Sequence, residues 1–357
     1  MKKRVTFGII GGGWRAEFFL RIAQALPERF GVTGCFSRSE ATRKKMASDW
    51  QVPVVESIDA LIKTKPDFVV LSVPRSVCAD LILELASKDM PVLAETPPAD
   101  QLDDMTRLWQ KLPKTARVQI AEQYPFQPLH AARLAFAASG KLGTVTQAQV
   151  SVAHGYHGVV LIRKFLRVGL EPVLVEGYEF TSPITAGRGR EPEIAEEKVV
   201  PSGQTIASLR FGDKLGIYDF TGDLYFSWIR SQRLLIRGEK GEINNLDATY
   251  LADFKTPVHV RFERRDAGQT GNLEGYHHKG YIAGEHWVYQ NPYIPARLSD
   301  DEIAVAACLE KMGHYLETGE AFYSLAEACQ DHYIGLLIDE AVKTKKPIQS
   351  TDQIWCT

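Results

Sequence analysis

Several short stretches of this sequence hold residue types whose spacing could do chemistry. Gly11-Gly12-Gly13-Trp14-Arg15-Ala16 follows the apolar run RVTFGII and opens a helix-like run, in the form G-x-G-x-x-A. Glycines there permit a tight turn and let backbone N–H groups come close to a pyrophosphate, so a dinucleotide turn is expected. A glycine triplet alone also suits a merely flexible turn; its place after a first strand favours the dinucleotide. At the end of the second apolar run stand Phe36-Ser37-Arg38-Ser39. A carboxylate at that point would bind an adenosine ribose and repel a 2′-phosphate, and Ser37 with Arg38 in its place favours NADP over NAD. Arg38 as a plain solvated charge, with Glu40 as ribose acceptor, is the competing reading. In VLAETPPAD, 92–100, a buried strand stops at two prolines with Glu95 and Thr96 at its end. Tyr276, His277, His278, His286 and Trp287 crowd imidazoles together, but without acidic or cysteine partners at ligand spacing the metal signal is weak and none is expected.

The elements that must position these residues follow from periodicity. Through residue ~120, strand-like and helix-like runs alternate at the spacing of βαβ units. The strands are RVTFGII, VTGCFS, DFVVLSVP, PVLAE and RVQIAEQ, with helix-like runs such as EATRKKMASDW and SVCADLILELASKD between them. Parallel strands need crossover helices, so a doubly wound Rossmann sheet is expected over 1–123. From 124 to 357 the runs lengthen and are joined by glycine-containing turns, as in TVTQAQVSVA, QTIASLRF, LGIYDFTG, QRLLIRGEKGEI and PVHVRFER. A second α/β domain with a large, mostly antiparallel open sheet is expected there, for substrate binding and oligomerisation. Residues 187–198 read as a charged loop and 275–295 as an aromatic-rich loop. DDEIAVAACLEKMGHYLETG and SLAEACQDHYIGLLIDEAVKTKK read as terminal helices.

Bulk properties narrow the function classes. The 357 residues are 45% hydrophobic and 24% charged with a formal net charge of −2, and the pI is near 6.5. No basic field is available for nucleic acid or an anionic membrane. No apolar run reaches the ~18 to 20 residues a membrane helix needs. Five cysteines lie scattered without C-x-x-C spacing, which signals neither zinc nor a disulfide framework and fits a cytoplasmic protein. Small molecules are the expected partners.

With the wider chain in view, VLAETPPA resembles the Glu-Lys-Pro segment at the end of the fourth Rossmann strand in the Gfo/Idh/MocA oxidoreductases, relatives of glucose-fructose oxidoreductase and inositol dehydrogenase. QYPFQP, 123–128, resembles the family's crossing into its second domain, KLGTV, 141–145, its sheet entry, and HGYHG, 154–158, the helix start that bears its catalytic histidine. GEKGEI and SLAEACQD fit its late sheet and helix patterns. The resemblance implies NAD(P)-linked oxidation or reduction of a sugar or polyol between two domains, in a homodimer or homotetramer.

The resemblance also implies site residues. Gly11, Gly12, Gly13, Trp14, Arg15, Ser37, Arg38, Pro74, Glu95 and Gln123 fall at cofactor positions, and His157, Tyr156 and Thr96 at catalytic ones. His157 is the expected acid/base, since an imidazole titrates near neutral pH without large tuning. His154 is an alternative to Tyr156 as second polar group, and Tyr124 a further cleft hydroxyl. Three departures stand out: Thr96 replaces the lysine, Ala153 the aspartate four residues before the histidine, and Pro125 an arginine. A neutral hydroxyl is no useful base near pH 7. These losses keep a second class open, a dinucleotide or ligand sensor without dehydrogenase activity.

Overall fold

The computed structural model describes residues 4–189, 193, 196–268 and 275–356. Its first unit runs β1 (Val5–Ile10), α1 (Ala16–Ala25), β2 (Phe30–Phe36), α2 (Glu40–Trp50), α3 (Ile58–Lys63), β3 (Phe68–Leu71), α4 (Arg75–Ala86), β4 (Val92–Ala94), α5 (Leu102–Lys111) and β5 (Val118–Ile120). The sheet order is β2-β1-β3-β4-β5, parallel throughout. Strands buried on both faces need continuous apolar runs, and all four residues of β3, Phe-Val-Val-Leu, are buried. Strand order reverses between β1 and β3, so the crevice beyond their carboxyl ends is where such sheets bind ligands.

The second unit continues with α6 (Pro128–Ala138), β6 (Val145–Ser151), α7 (Gly155–Leu166), β7 (Leu174–Thr185), β8 (Val199–Phe211), β9 (Lys214–Thr221), β10 (Arg233–Gly238), β11 (Gly241–Asn244), β12 (Asp247–Leu251), β13 (Pro257–Ala267), β14 (His277–Ala283) and β15 (His286–Gln290). It ends with α8 (Asp300–Thr318), α9 (Leu325–Thr344) and β16 (Ile348–Gln349). Among the described residues the strands form one eleven-stranded sheet, β15-β14-β13-β12-β11-β10-β6-β9-β8-β7-β16. Its pairs are antiparallel except β6 with β9. Helices α7 and α9 pack on one face, where Val150, Ala207, Leu209 and Tyr218 are buried with Val159, Leu161 and Ile334.

Both terminal helices begin with a reciprocal cap, Ser299 with Glu302 and Ser324 with Glu327. The S-x-x-E pattern satisfies two otherwise orphaned N–H groups at each start. Helix α8 does not stay with its own sheet. Ile303, Val305, Leu309 and Met312 share a core with Phe7, Phe19, Phe68 and Leu93 of the first unit, and each such buried side chain contributes about 1.5–3 kcal/mol.

The expected aromatic loop over 275–295 is instead mostly the β14–β15 hairpin. His277 and His278 are buried, and Nδ1 of His278 pairs with Asp266 of β13 at 2.7 Å. Ladder pairing and the buried His278–Asp266 hydrogen bond offset the weak strand propensity of His-His-Lys-Gly. Gly280 is required there, because a Cβ would lie 2.2 Å from the Tyr289 carbonyl oxygen. Among the described residues no cluster could hold a metal ion. The 187–198 segment is closed by a hydrogen bond from Ala186 N–H to the Lys198 carbonyl at 2.8 Å; residues 190–192, 194 and 195 lie outside the described residues.

Candidate active site

A cleft of about 1660 Å³ opens beyond the carboxyl ends of β1, β3 and β4. Every residue expected at a cofactor or catalytic position lines it. At the β1–α1 turn, Gly11 has φ +121°, and a Cβ there would lie 1.9 Å from the Ser72 carbonyl oxygen. The turn thus presses against the end of β3, which only glycine permits. A Cβ on Gly13, by contrast, would meet no protein atom within 4 Å. That open face, at the head of the ten-residue α1, fits a dinucleotide phosphate. Trp14 stands exposed at the mouth, its ring edge-on to Phe18.

Arg15 draws the turn and the end of β4 together. Its Nε donates to Glu95 Oε1 at 2.8 Å, and its Nη2 donates to the side-chain carbonyl of Gln123. Burial works against the guanidinium's charge, but Glu95 outweighs it and holds Arg15 protonated above its ordinary value. Pro74 caps α4. Ser37 and Arg38 lie at the far end, where Arg43 Nη1 donates to the Ser37 carbonyl at 2.6 Å and Arg43 Nη2 to Glu56 at 3.0 Å. Glu40, the competing ribose acceptor, pairs with Lys44 at 2.8 Å and does not line the cleft.

The other end of the cleft is built from the start of α7. His157 Nδ1 lies 2.6 Å from Glu122 Oε2, and the Glu122 side chain is wholly buried. Its other oxygen accepts the Tyr124 backbone N–H at 3.0 Å. A carboxylate can only accept, which places the shared proton on Nδ1 of His157; its Nε2 bonds to no described residue, and His157 lines the cleft. The rings of Tyr156 and Tyr124 flank it at 4.4 Å and 4.6 Å between centroids. Tyr156 donates its hydroxyl to the Thr96 backbone carbonyl at 3.4 Å, and burial pushes that phenol's pKa up. The Thr96 side chain lines the cleft between the two ends.

Two of these contributors escaped sequence reasoning. Glu122 stands two residues after β5 and one residue before the crossing motif; a carboxylate beyond the carboxyl end of a parallel strand was the available signal. Tyr225 belongs to the one-turn segment 222–225 after β9, and its hydroxyl lies 2.7 Å from His154 Nδ1. Only the aromatic run Leu-Tyr-Phe-Ser-Trp hinted at it. Tyr124, the further cleft hydroxyl expected from the sequence, lines the cleft while being 7% exposed.

Comparison with known proteins shows what the chain is similar to. Residues 5–123 match the Gfo/Idh/MocA family model, described as oxidoreductase family, NAD-binding Rossmann fold. No curated protein sequence matches the chain. Among solved structures, levoglucosan dehydrogenase complexed with NADH and levoglucosan is 15% identical with a TM-score of 0.69, covering 98% of this chain and 100% of that one. A myo-inositol dehydrogenase from Corynebacterium glutamicum is 17% identical, TM-score 0.65, covering 98% and 100%. A putative myo-inositol dehydrogenase from Sinorhizobium meliloti 1021 is 15% identical, TM-score 0.65, covering 97% and 100%. The chain shares their fold over 97–98% of its length, and its residues 5–123 match the NAD-binding Rossmann fold model of the Gfo/Idh/MocA oxidoreductases.

Proposed function

We propose that this protein is an NAD(P)-dependent oxidoreductase that moves a hydride to or from the carbon of a hydroxyl or carbonyl group on a sugar, polyol or related small molecule, with His157 as acid and base. The observation that carries this reading is the buried Glu122–His157 pair, 2.6 Å long, in the same cleft as the glycine turn. Glu122 holds the imidazole in one tautomer and offsets the charge that forms when Nε2 takes a hydroxyl proton. It thereby supplies, from the end of β5, the carboxylate that Ala153 cannot. When bound, the dinucleotide supplies the hydride acceptor or donor.

The remaining residues bind and shape. The β1–α1 turn receives the pyrophosphate, Arg15 and Gln123 fix Glu95 and the turn in place, and Pro74 bounds the nicotinamide end. Arg38 reads a 2′-phosphate and favours NADP. Tyr156 offers a phenol at the substrate end, and Thr96 offers a hydrogen-bonding hydroxyl in place of a base. A carbohydrate-like substrate agrees with the substrates named for the levoglucosan and inositol dehydrogenases and with the aromatic rings around His157. The exposed Tyr178, Phe180 and Val199 of the β7–β8 hairpin suit a homodimer or homotetramer, and the buried free thiols suit the cytoplasm. Among the described residues no helix is long and apolar enough to cross a membrane.

Thr96 in the lysine position favours a second reading, a dinucleotide or ligand sensor. Fluorescence titration with NADH and NADPH, followed by a turnover screen of sugars and polyols, separates the two. Expected are binding of both nucleotides, tighter for NADPH, loss of that preference in Arg38→Ala, and oxidation of at least one compound. His157→Ala should lower turnover about 10²-fold or more at unchanged nucleotide affinity. Nucleotide binding with no turnover on any compound selects the sensor, and no binding at all removes both.

A further inference from the structure

A second imidazole in the cleft is held with as much care as the first. His154 caps the start of α7; its Nδ1 lies 2.7 Å from the Tyr225 hydroxyl, and that same oxygen accepts the His154 backbone N–H at 3.1 Å. Tyr124 lines the same cleft as Tyr225. Nε2 of His154 bonds to no described residue, and the ring lines the cleft. The His154 and His157 rings stand edge to face with centroids 5.0 Å apart, so both reach one ligand.

The direction of the Tyr225 bond decides what His154 presents. A phenol is the stronger donor and an imidazole nitrogen the stronger acceptor, so O–H to Nδ1 is the favoured sense. Tyr156, Phe220 and Tyr225 hem the ring, and this desolvation, with His157 nearby, pushes the imidazole down to about 4. A neutral imidazole whose Nδ1 accepts must carry its proton on Nε2.

We propose that His154 is a second functional imidazole of this cleft, fixed by Tyr225 as the Nε2–H tautomer and donating that N–H to an oxygen of the bound substrate. It is opposite in sense to His157, whose Nδ1 carries the proton and whose Nε2 accepts. The pair offers a hydroxyl or carbonyl substrate one acceptor and one donor, and the donor replaces the ammonium that Thr96 lacks. His154 touches substrate in this scheme, and Tyr225 is a positioning residue that acts through it. The substrate contact rests on the dehydrogenase reading above; the tautomer assignment does not.

The test is long-range ¹H–¹⁵N correlation of the histidine rings in the full-length protein with NAD⁺ added, on wild type and Tyr225→Phe, with His154→Gln and His157→Gln for assignment. Expected are a bare Nδ1 and protonated Nε2 in His154, the reverse in His157, and a tautomer mixture at His154 alone in Tyr225→Phe. A proton on His154 Nδ1, or a Tyr225→Phe spectrum identical to wild type, overturns the assignment. Kinetics on any compound found to turn over form the second arm. His154→Phe should lower kcat/KM about tenfold or more, with partial recovery in His154→Gln, which keeps an N–H donor. Full activity in His154→Phe overturns the substrate role. Absence of turnover in wild type refutes the dehydrogenase reading, and with it the substrate contact, while the spectra still decide the tautomer.

Discussion

Glu122 Oε2 and His157 Nδ1 lie 2.6 Å apart although 35 positions separate them. The carboxylate comes from the end of a Rossmann strand and the imidazole from the first turn of a helix on the second sheet, so the pair exists only where the two units meet. Glu122→Gln keeps the shape but ends the carboxylate's preference for an N–H at Nδ1. We expect kcat to fall about 10²-fold with nucleotide affinity unchanged, and the acid limb of the kcat/KM pH profile to shift. Glu122→Asp should recover part of the loss. An unchanged pH profile would leave Glu122 a structural role only.

The glycines of the first turn should fail in different ways. Gly11→Ala forces a Cβ against the Ser72 carbonyl at positive φ and should cost about 2 kcal/mol or more of stability. Gly13→Ala meets no protein atom, so its urea midpoint should stay near wild type while NADH affinity drops sharply. Retained NADH affinity in Gly13→Ala would mean that the nucleotide does not approach that face.

Arg15 and Glu95 form a pair whose side chains are only 15% and 12% exposed. Removing Glu95 leaves the guanidinium desolvated with only the Gln123 amide, so Glu95→Ala should cost about 3 kcal/mol. Arg15→Leu combined with Glu95→Leu should recover most of that in urea denaturation, because no buried charge remains. Additive losses in the double variant would show that the two do not depend on each other.

His130 supplies a pH dependence. Buried at 3% exposure beside Arg133, it is pushed down to about 3, by burial first and the guanidinium second. Between its ordinary value near 6.5 and about 3, the unfolded chain binds a proton there that the native state refuses. Stability therefore decreases as pH drops across that window, by at most about 1.4 kcal/mol per unit. His130→Leu removes this contribution, so the stability of wild type relative to the variant should decline as pH drops from 7 to 5. A constant difference would show that His130 titrates normally in the fold.

The chain by itself determined the parallel sheet, the glycine turn and the helix starts, because these depend on local rules: apolar runs of strand length, glycine where φ turns positive, Ser-x-x-Glu at a helix head. It also brought the thirteen expected site residues to one cleft, since each lies at the end of a strand or the start of a helix. Local rules failed for β14, where His277 and His278 are strand residues only because β13 and Asp266 await them. They failed too for α8, whose apolar face serves the first sheet rather than the second. Glu122, Tyr225 and the tautomer-setting bond to His154 were decided by tertiary structure alone. A carboxylate's partner, and hence whether it is a solvated charge or half of a buried pair, depends on what distant element folds against it, and no periodicity in the chain encodes that.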